Sequence, residues 1–424
     1  MSIARMTFAV LLLSPILSAD VIVVDARGGG DATTLSAAVA AAVDGDTILV
    51  RDGLYLEAGP VIVDGKALTI AAEWAEPWQG GRSVTIQPGL VVRNLAPGEY
   101  VVIENLALIG APGTAAAAPT AALELRDNSS HVRVQGCELI GGDGAHNDNR
   151  HGAPGVDVEN SYSTALTGCT AYGGNGQFSP SLAVMTGDGG PGLRLSGGQV
   201  HVGYSSLRGG RGGGNVVGGW AQGGNGGAGA AYLAGTLLVA GAGLHGGDGG
   251  ISHFGGDGGD GLQVVASFGF AWLMGGSTAN PGAGGWSDVG PAGANGQAIA
   301  DPNGLVANHH GSPHGFDVTS PLREGQWGAL LLDGDPTDGT LLFASLLPHQ
   351  LPIPAKQGVL MLHPGALIGP FAFGFTGSGE LPFLAPALPA SLEALDVHLQ
   401  PIYTGADGVV IGAGRVLTLL DAGF

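Results

Sequence analysis

A repeat of about 30 residues runs through the middle of the chain and limits what it can fold into. Short apolar segments recur there, each with a leucine-like residue two positions before a glycine, at steps of 31, 32, 36, 37 and 29 residues. Within each segment apolar residues alternate with others at period two, which is typical of a strand with one buried face. The anchoring glycines are Gly110, Gly141, Gly173, Gly209, Gly246 and Gly275.

Two columns of the aligned repeats are almost entirely apolar. Seven positions before the glycine stand Ile103, Val134, Leu166, Val202, Val239 and Phe268, and two positions before it stand Leu108, Leu139, Ala171, Leu207, Leu244 and Leu273. A second short strand precedes each segment. Stacking one repeat on the next would bury both columns, so we predict an all-β protein built on a right-handed parallel β-helix.

Glycine is the most unusual part of the composition, with 81 of 424 residues. The 44% of hydrophobic residues is too high for a disordered chain, and the glycines lack the strict triplet period of collagen. We therefore expect each coil to carry a glycine-rich excursion of variable length. The expected role of these glycines is to form corners with positive φ angles.

The N-terminal part adds a family resemblance. The segment TTLSAAVAAAVDGDTILVRDGLYLE, residues 33–57, has an alanine-rich amphipathic stretch that stops at Gly45 and is followed by a strand. It resembles the opening of pectin-lyase-like right-handed β-helix proteins, and the resemblance covers about residues 20–300. It implies an N-terminal helix that caps the open end of the solenoid. Enzymes of that family carry aspartate clusters with histidine and basic motifs, and no such motif is found in this sequence.

The remaining parts of the chain differ in pattern. Residues 1–19 read as a secretory signal peptide cut after Ala19, which predicts a secreted or cell-surface protein. We assign residues 20–303 to the β-helix and 304–322 to a linker. Short apolar runs separated by Gly, Pro and Asp turns predict a small β-sandwich over 323–424.

Charge limits the partners. The formal charge of −20 disfavours nucleic acid and anionic lipid, and also acidic polysaccharides unless cations bridge the two. After the signal is removed, no apolar run is long enough to span a bilayer. The expected partners are polysaccharides or cell-surface components, and the sequence leaves the oligomeric state open.

One charged row is the candidate catalytic site. Glu124, Asp157 and Arg194 occupy equivalent positions in successive repeats, beside a second row of Arg126 and Glu159. Two adjacent carboxylates repel, which raises the pKa of one, and glycoside hydrolases use such a pair as acid and base. The alternative interpretation is a solvated ladder of charges on one face of a sheet.

A calcium site is the one cofactor that the sequence suggests. Residues 255–263 fit the calcium-binding nonapeptide G-G-x-G-x-D-x-U-x, which makes Asp257 and Asp260 candidate ligands. In that family neighbouring turns each give half of a site, whereas related segments here recur only every 30 to 37 residues. A glycine loop without metal is the alternative, and we expect no other cofactor.

Cysteines and histidines give two further candidates. Cys137 and Cys169 occupy the same position in successive coils, close enough for a disulfide that export would favour, although in-register side chains point the same way. Two stacked buried thiols are the alternative. His309, His310 and His314 could bind a metal, but their spacing fits no defined strand or helix, so we expect a flexible junction there.

The function predicted from these features is that of a non-catalytic structural or adhesion protein. The β-helix would serve as a rigid spacer or adhesive face, and the C-terminal module would attach the chain. The alternative is a carbohydrate-active enzyme on the same scaffold, which fold analogy alone supports.

Overall fold

The computed structural model describes most of the chain as β-structure. It describes residues 19–73, 84–145, 150–178, 186–215, 222–309, 311, 314–353, 358–373, 378–389, 392–405 and 408–424. The predicted signal peptide therefore lies outside the described residues, apart from Ala19. One seven-residue α-helix, α1 (Leu35–Ala41), and one short 3₁₀ helix (Pro364–Ala366) are present in the described part.

Three columns of parallel strands form a solenoid. The first contains β1 (Val21–Val24), β2 (Thr47–Val50), β5 (Leu68–Ala72), β8 (Tyr100–Glu104), β11 (His131–Gln135), β14 (Ser161–Thr167), the second halves of β16 (Leu193–Gly203) and β18 (Ala230–Ala240), β21 (Phe270–Met274) and β24 (Val306–Asn308). The second contains β3 (Gly53–Leu56), β6 (Val84–Gln87), β9 (Ala107–Ile109), β12 (Glu138–Ile140), β15 (Thr170–Tyr172), β17 (Ser206–Arg208), β19 (Gly243–His245) and β22 (Thr278–Asn280). The third contains β4 (Val61–Asp64), β7 (Leu90–Arg93), β10 (Leu123–Arg126), β13 (Val156–Glu159), the first halves of β16 and β18, β20 (Leu262–Val264) and β23 (Ile299–Ala300).

The predicted core columns stack as successive rungs. Val134 is in register with Ile103 on one side and Leu166 on the other, and the column continues through Val202 to Val239. All five side chains are fully buried in one hydrophobic core. The parallel β-helix predicted from the sequence is therefore confirmed.

The alignment misplaces the sixth repeat, by five residues in the first column and by six in the second. Leu273 is in register with Val239 in the first column, and Ala279, instead of Leu273, follows Leu244 in the second. Phe268, which the alignment put in the core, is 71% exposed. The error arises because the glycine pair at 275–276 ends a first-column strand here, whereas the aligned glycines of the other repeats end a second-column strand.

Helix α1 forms where the alanine-rich stretch predicts a helix. The Thr34 hydroxyl caps its N-terminus by accepting a hydrogen bond from the amide of Ala37 at 3.2 Å. Leu35, Ala38 and Val39 are buried and belong to the solenoid core. The role of this helix as a cap over the open end stays a prediction.

The glycine-rich excursions form two ordered layers, called here the glycine layers. Outgoing segments (141–144, 173–177, 209–214, 246–250 and 282–285) alternate with return segments (152–155, 187–192, 223–229, 255–261 and 293–297). Amides of one segment donate to carbonyls of another: Gly210 donates to Gly190, Gly227 to Gly210, and Gly247 to Gly227, each at 2.8 Å. The excursions are therefore hydrogen-bonded to each other, whereas the sequence predicts separate glycine loops.

Close approach explains why these positions are glycine. A Cβ atom built on Gly227 would lie 2.0 Å from the carbonyl oxygen of Gly190, and a Cβ on Gly210 would lie equally close to that of Gly174. None of the glycines in the two layers has a positive φ angle. The expectation that they serve as positive-φ corners was wrong, because the constraint is the distance between backbones.

The C-terminal strands form three antiparallel or mixed sheets. They are β25 (Gly315–Val318), β26 (Leu322–Arg323), β27 (Trp327–Asp333), β28 (Gly339–Ser345), β29 (Pro348–Ile353), β30 (Gly358–Leu362), β31 (Leu367–Phe373), β32 (Gly379–Leu384), β33 (Ala394–Gly405), β34 (Gly408–Ile411) and β35 (Arg415–Leu420). The sheets β25-β27-β32 and β26-β35-β33-β28-β31 contribute to one hydrophobic core. This arrangement is compatible with the predicted β-sandwich.

Strands occupy much of the segment predicted as a linker, 304–322. Strand β24 pairs with β21 and continues the first column, and β25 pairs with β27 in the C-terminal part. His314 is buried beside the carboxylate of Asp338, at 2.5 Å, instead of lying in a flexible junction. His310 lies outside the described residues.

Candidate functional site

The predicted catalytic row lies on the outer face of the third column. Register places Glu124 beside Asp157, and Asp157 beside Arg194, as the sequence alignment predicts. Arg194 binds Asp157 with two hydrogen bonds, from Nε at 2.7 Å and from Nη2 at 2.6 Å. Glu124 pairs instead with Arg126 on its own strand, at 2.8 Å.

The electrostatics of this row differ from those of a carboxylate pair that shares a proton. Burial is the largest cause that raises the pKa of Glu124, and the negative charge of Asp157 adds to it, while Arg126 opposes it. The hydrogen bonds to Asp157 raise the pKa of Arg194. Each carboxylate therefore has its own arginine, and the row is a set of ion pairs on a sheet face.

The two calcium candidates lie in a groove beside the glycine layers. Asp257 and Asp260 line it together with Asp188, Asn225 and the outer face of the third column, and its volume is about 330 Å³. One oxygen of Asp257 accepts the amide of Ala294 at 2.8 Å, and one of Asp260 accepts that of Gln297 at 2.7 Å. These two aspartates stay predicted calcium ligands.

Aspartate and asparagine have a definite role along the glycine layers. The Asp143 side chain accepts the amide of Asn175 at 2.7 Å, and the Asn175 side chain accepts that of Arg211 at 3.0 Å. In the return layer Asp188 likewise accepts the amide of Asn225, at 2.7 Å, and Asn225 that of Asp257, at 3.0 Å. Each side chain thus satisfies a backbone donor of the next coil.

The two cysteines are buried thiols stacked on successive coils. The structure contains no disulfide between Cys137 and Cys169, so it shows the stacked thiols and not the possible bond. Cys137 Sγ lies 3.3 Å from the carbonyl oxygen of Gln135, and Cys169 Sγ lies 3.3 Å from that of Val134. In-register positions of parallel strands direct both side chains the same way, so each thiol contacts backbone carbonyls.

One end of the glycine layers exposes large apolar residues, called here the tip patch. It comprises Phe178, Ile251, Trp286 and Val289, which are 52%, 45%, 63% and 71% exposed. Ser252 donates to the carbonyl of Trp286, which places Ile251 and Trp286 on adjacent segments, and a Cβ atom built on Gly214 would lie within 3.4 Å of both Ile251 and Phe178. Val289 follows Trp286 by three residues. Sequence reasoning missed this patch because it depends on the pairing of the excursions.

The C-terminal part docks on the outer face of the first column through buried polar groups, called here the polar seam. It comprises Glu104, Arg133, Gln135, Thr167 and His201 from the solenoid, and His398, Gln400, Arg415, Thr418 and the half-buried Asp396 from the C-terminal part. The Gln135 amide exchanges two hydrogen bonds with the backbone of Val416, at 2.7 and 2.8 Å. Arg415 Nη1 donates to the carbonyl of Thr167 at 2.7 Å.

Two carboxyl groups in this seam, the buried Glu104 and the half-buried Asp396, contact one hydroxyl. Thr418 Oγ1 lies 2.8 Å from Asp396 Oδ1 and 3.2 Å from Glu104 Oε2. Burial raises the pKa of Glu104 to about 7, and burial also raises the pKa of Asp396. The hydroxyl carries one proton and so donates to one carboxyl at a time, while the Thr69 hydroxyl also donates to Asp396.

His314, Asp335 and Asp338 could hold a metal ion. Their ligand atoms lie within 4.8 Å of one another, and they form the one such group among the residues that the structure describes. His314 and Asp338 are buried, and Asp338 also accepts the amide of Asp335 at 3.1 Å. From the sequence, the partners predicted for His314 are His309 and His310, not these aspartates.

No protein-family model matches the chain, and no curated protein matches its sequence. The chain is similar to the crystal structure of pectate lyase Pel9A, with 15% identity, coverage of 69% of this chain and 82% of that chain, and a TM-score of 0.32. It is also similar to Geobacillus virus E2 ORF18, with 10% identity, coverage of 91% of this chain and 73% of that chain, and a TM-score of 0.19. In the described part, no helix is long and apolar enough to cross a membrane.

Proposed function

We propose that this chain is an exported, non-catalytic surface protein that attaches to a neutral polysaccharide through the tip patch. The solenoid and the glycine layers hold the patch rigidly, because every coil is hydrogen-bonded to the next. The observation that carries the proposal is the exposure of four large apolar residues at the end of layers made mostly of glycine and polar residues. Exposed apolar patches of this kind mark interaction surfaces.

The chemistry of the patch indicates the class of partner. Phe178 and Trp286 offer aromatic faces, against which the apolar C–H faces of sugar rings lose contact with water. The formal charge of −20 and the acidic row of Asp188 and Asp257 repel polyanions. A neutral polysaccharide fits both features better than an acidic one.

Export is part of the proposal. Strand β1 begins at Val21, two residues after the predicted cleavage point at Ala19. The amide of Val21 donates to the carboxylate of Glu393 at 2.8 Å, so the start of the solenoid contacts the C-terminal part. A cut after Ala19 leaves these contacts in place.

Substitution in the tip patch tests the attachment. We expect Trp286→Ala and Phe178→Ala each to weaken binding to insoluble neutral polysaccharides about tenfold or more, because hot-spot aromatics contribute about 2 kcal/mol. Co-sedimentation with cellulose, chitin, xylan and galactomannan measures the affinity, with pectate as the acidic comparison. Trp327→Ala is the matched control, since Trp327 is also 63% exposed but lies on β27 in the C-terminal part.

Two results would contradict the attachment proposal. One is equal binding by wild type and both tip variants, and the other is tighter binding to pectate than to every neutral polysaccharide. Circular dichroism of each variant establishes that the fold is intact. A loss of binding in Trp327→Ala alone would move the contact surface to the C-terminal part.

The second candidate function is a polysaccharide-degrading enzyme, favoured by the raised pKa of Glu124 beside Asp157. Its test is turnover of uronic-acid and neutral polysaccharides, followed by reducing ends and by the absorbance of unsaturated products, with and without calcium. We expect no turnover above background. Robust turnover that Glu124→Gln or Asp157→Asn abolishes would overturn the non-catalytic proposal.

A further inference from the structure

A buried guanidinium in the polar seam lacks a negative partner. Arg133 is 4% exposed, and its Nη2 donates to the carbonyl oxygens of His349 and Met361, the latter at 3.2 Å. Its Nη1 is buried without a hydrogen-bond partner. Within the described ranges, no carboxylate oxygen lies within ion-pair distance of Arg133. A buried charge without a counter-charge is costly, so this site favours an added anion.

The residues around Arg133 enclose a small cavity of about 10 Å³. His398 also lines it, and the Nε2 atom of His398 is likewise buried without a hydrogen-bond partner. The volume is close to the minimum for a single small solvent species. Arg133, from the solenoid, and His398, from the C-terminal part, thus both line this cavity, and each has a buried nitrogen atom without a hydrogen-bond partner.

The other charged groups nearby already have partners. Arg415 also lines the cavity, but it pairs with Asp317 at 3.2 Å and with the carbonyl of Thr167. The carboxyls of Glu104 and Asp396 are held by the Thr418 hydroxyl. The wall of the cavity is thus positive, and its charge is left uncompensated by the protein.

We propose that this cavity binds one monatomic anion, chloride in particular, between Arg133 Nη1 and His398 Nε2. A water molecule could satisfy the two donors but would not neutralise the guanidinium. The anion would also join β11 of the solenoid to β33 of the C-terminal part. Halide binding would then strengthen the docking of the two parts.

Protonation states at neutral pH agree with this arrangement. Burial lowers the pKa of Arg133 to about 9, which leaves the guanidinium charged at pH 7. Burial, with a smaller contribution from Arg133, lowers the pKa of His398 to about 3, so its ring is neutral. A neutral imidazole with its proton on Nε2 can still donate one hydrogen bond to an anion.

Bromide tests the site directly in the wild-type protein. Crystals grown or soaked in sodium bromide should show an anomalous peak in contact with Arg133 Nη1 and His398 Nε2. The peak should disappear when the crystals are transferred to sodium gluconate. Density that shows no anomalous signal in bromide, which indicates water only, would overturn the proposal.

Thermal unfolding tests the coupling in solution. At constant ionic strength, exchange of gluconate for chloride should raise the melting temperature by roughly 1–2 °C for each tenfold rise in chloride above its Kd. Arg133→Met removes the charge with little change of shape, and it should abolish this dependence. Arg93→Met, in an exposed ion pair with Asp64, is the control that should keep it.

Some outcomes of the second experiment would contradict the proposal. The same chloride dependence in wild type and Arg133→Met would place the effect elsewhere on the surface. A melting temperature that does not respond to chloride in wild type would exclude a coupled site. If Arg133→Met fails to fold, the bromide experiment on wild type still decides the question.

Discussion

Alanine in place of Gly227 should lower the free energy of unfolding by about 3 kcal/mol or more. The new Cβ atom would lie 2.0 Å from the carbonyl oxygen of Gly190 and 2.5 Å from its carbonyl carbon. Both are backbone atoms of a segment that is hydrogen-bonded on two sides. The clash therefore cannot be relieved by rotation of a side chain, and the two layers must separate locally.

Gly59→Ala is the matched control for this substitution. No heavy atom lies within 4 Å of a Cβ built on Gly59, and its φ angle is not in the left-handed region. We expect its stability to be unchanged or raised by a few tenths of a kcal/mol, because alanine restricts the unfolded chain. Urea unfolding of both variants gives the comparison, and equal stabilities would show that the glycine layers are not close-packed.

The polar seam, together with His131 on the same strand as Arg133, should make stability depend on pH in two opposite ways. Burial lowers the pKa values of His131, His201 and His398 to about 3, from an ordinary value of 6.5. Between these values the unfolded chain binds more protons, so the folded state loses stability as the pH falls below 6.5. Glu104 has the opposite effect, because its pKa is raised from 4.5 to about 7. Between these values the folded state keeps a proton that the unfolded chain has released, so stability falls as the pH rises.

The three imidazoles outweigh the carboxyls on the acid side. Each group contributes up to about 1.4 kcal/mol per pH unit inside its window. Stability should therefore fall steeply from about pH 6.5 toward pH 4 and change little between about pH 7 and pH 8. Urea unfolding at pH 4 to 8 measures this profile.

Single variants separate the contribution of Glu104 from that of the imidazoles. Compared with wild type, Glu104→Gln should be stabilised more at pH 8 than at pH 5, since the amide cannot ionise. His201→Leu should flatten the acid limb, because both ring nitrogens of His201 are buried without hydrogen-bond partners. His151→Gln is the control, with a side chain that is 50% exposed. An acid limb that persists unchanged in His201→Leu would exclude this histidine as a cause.

Much of the solenoid could be predicted from the sequence because its core is a simple column of aliphatic residues. Val134, Leu166 and Val202 were assigned to consecutive rungs from their distance to a glycine alone. The same rule failed at Phe268, where the glycine pair at 275–276 follows a strand of a different column. The charged row of Glu124 and Asp157 was placed in register, but its ion pairs depend on side-chain directions that spacing does not give.

The glycine layers and the polar seam depend on contacts between distant parts of the chain. The triplets Gly-Gly-Asn at 223–225 and Gly-Gly-Asp at 246–248 are a signal that could have indicated ordered layers, since the third residue recurs as Asp or Asn. No local sequence pattern indicates the polar seam. Gln135 and Val416 are 281 residues apart in sequence, and neither position carries a motif.

Amide hydrogen exchange of the glycine-rich excursions tests the central claim most directly. The account predicts that peptides covering 187–192, 209–214, 223–229 and 246–250 are protected to the same degree as β18, because their amides donate to carbonyls of neighbouring segments. Exchange of these peptides at the rate of an unfolded chain, while β18 stays protected, would show that the excursions are loose loops and would contradict the account.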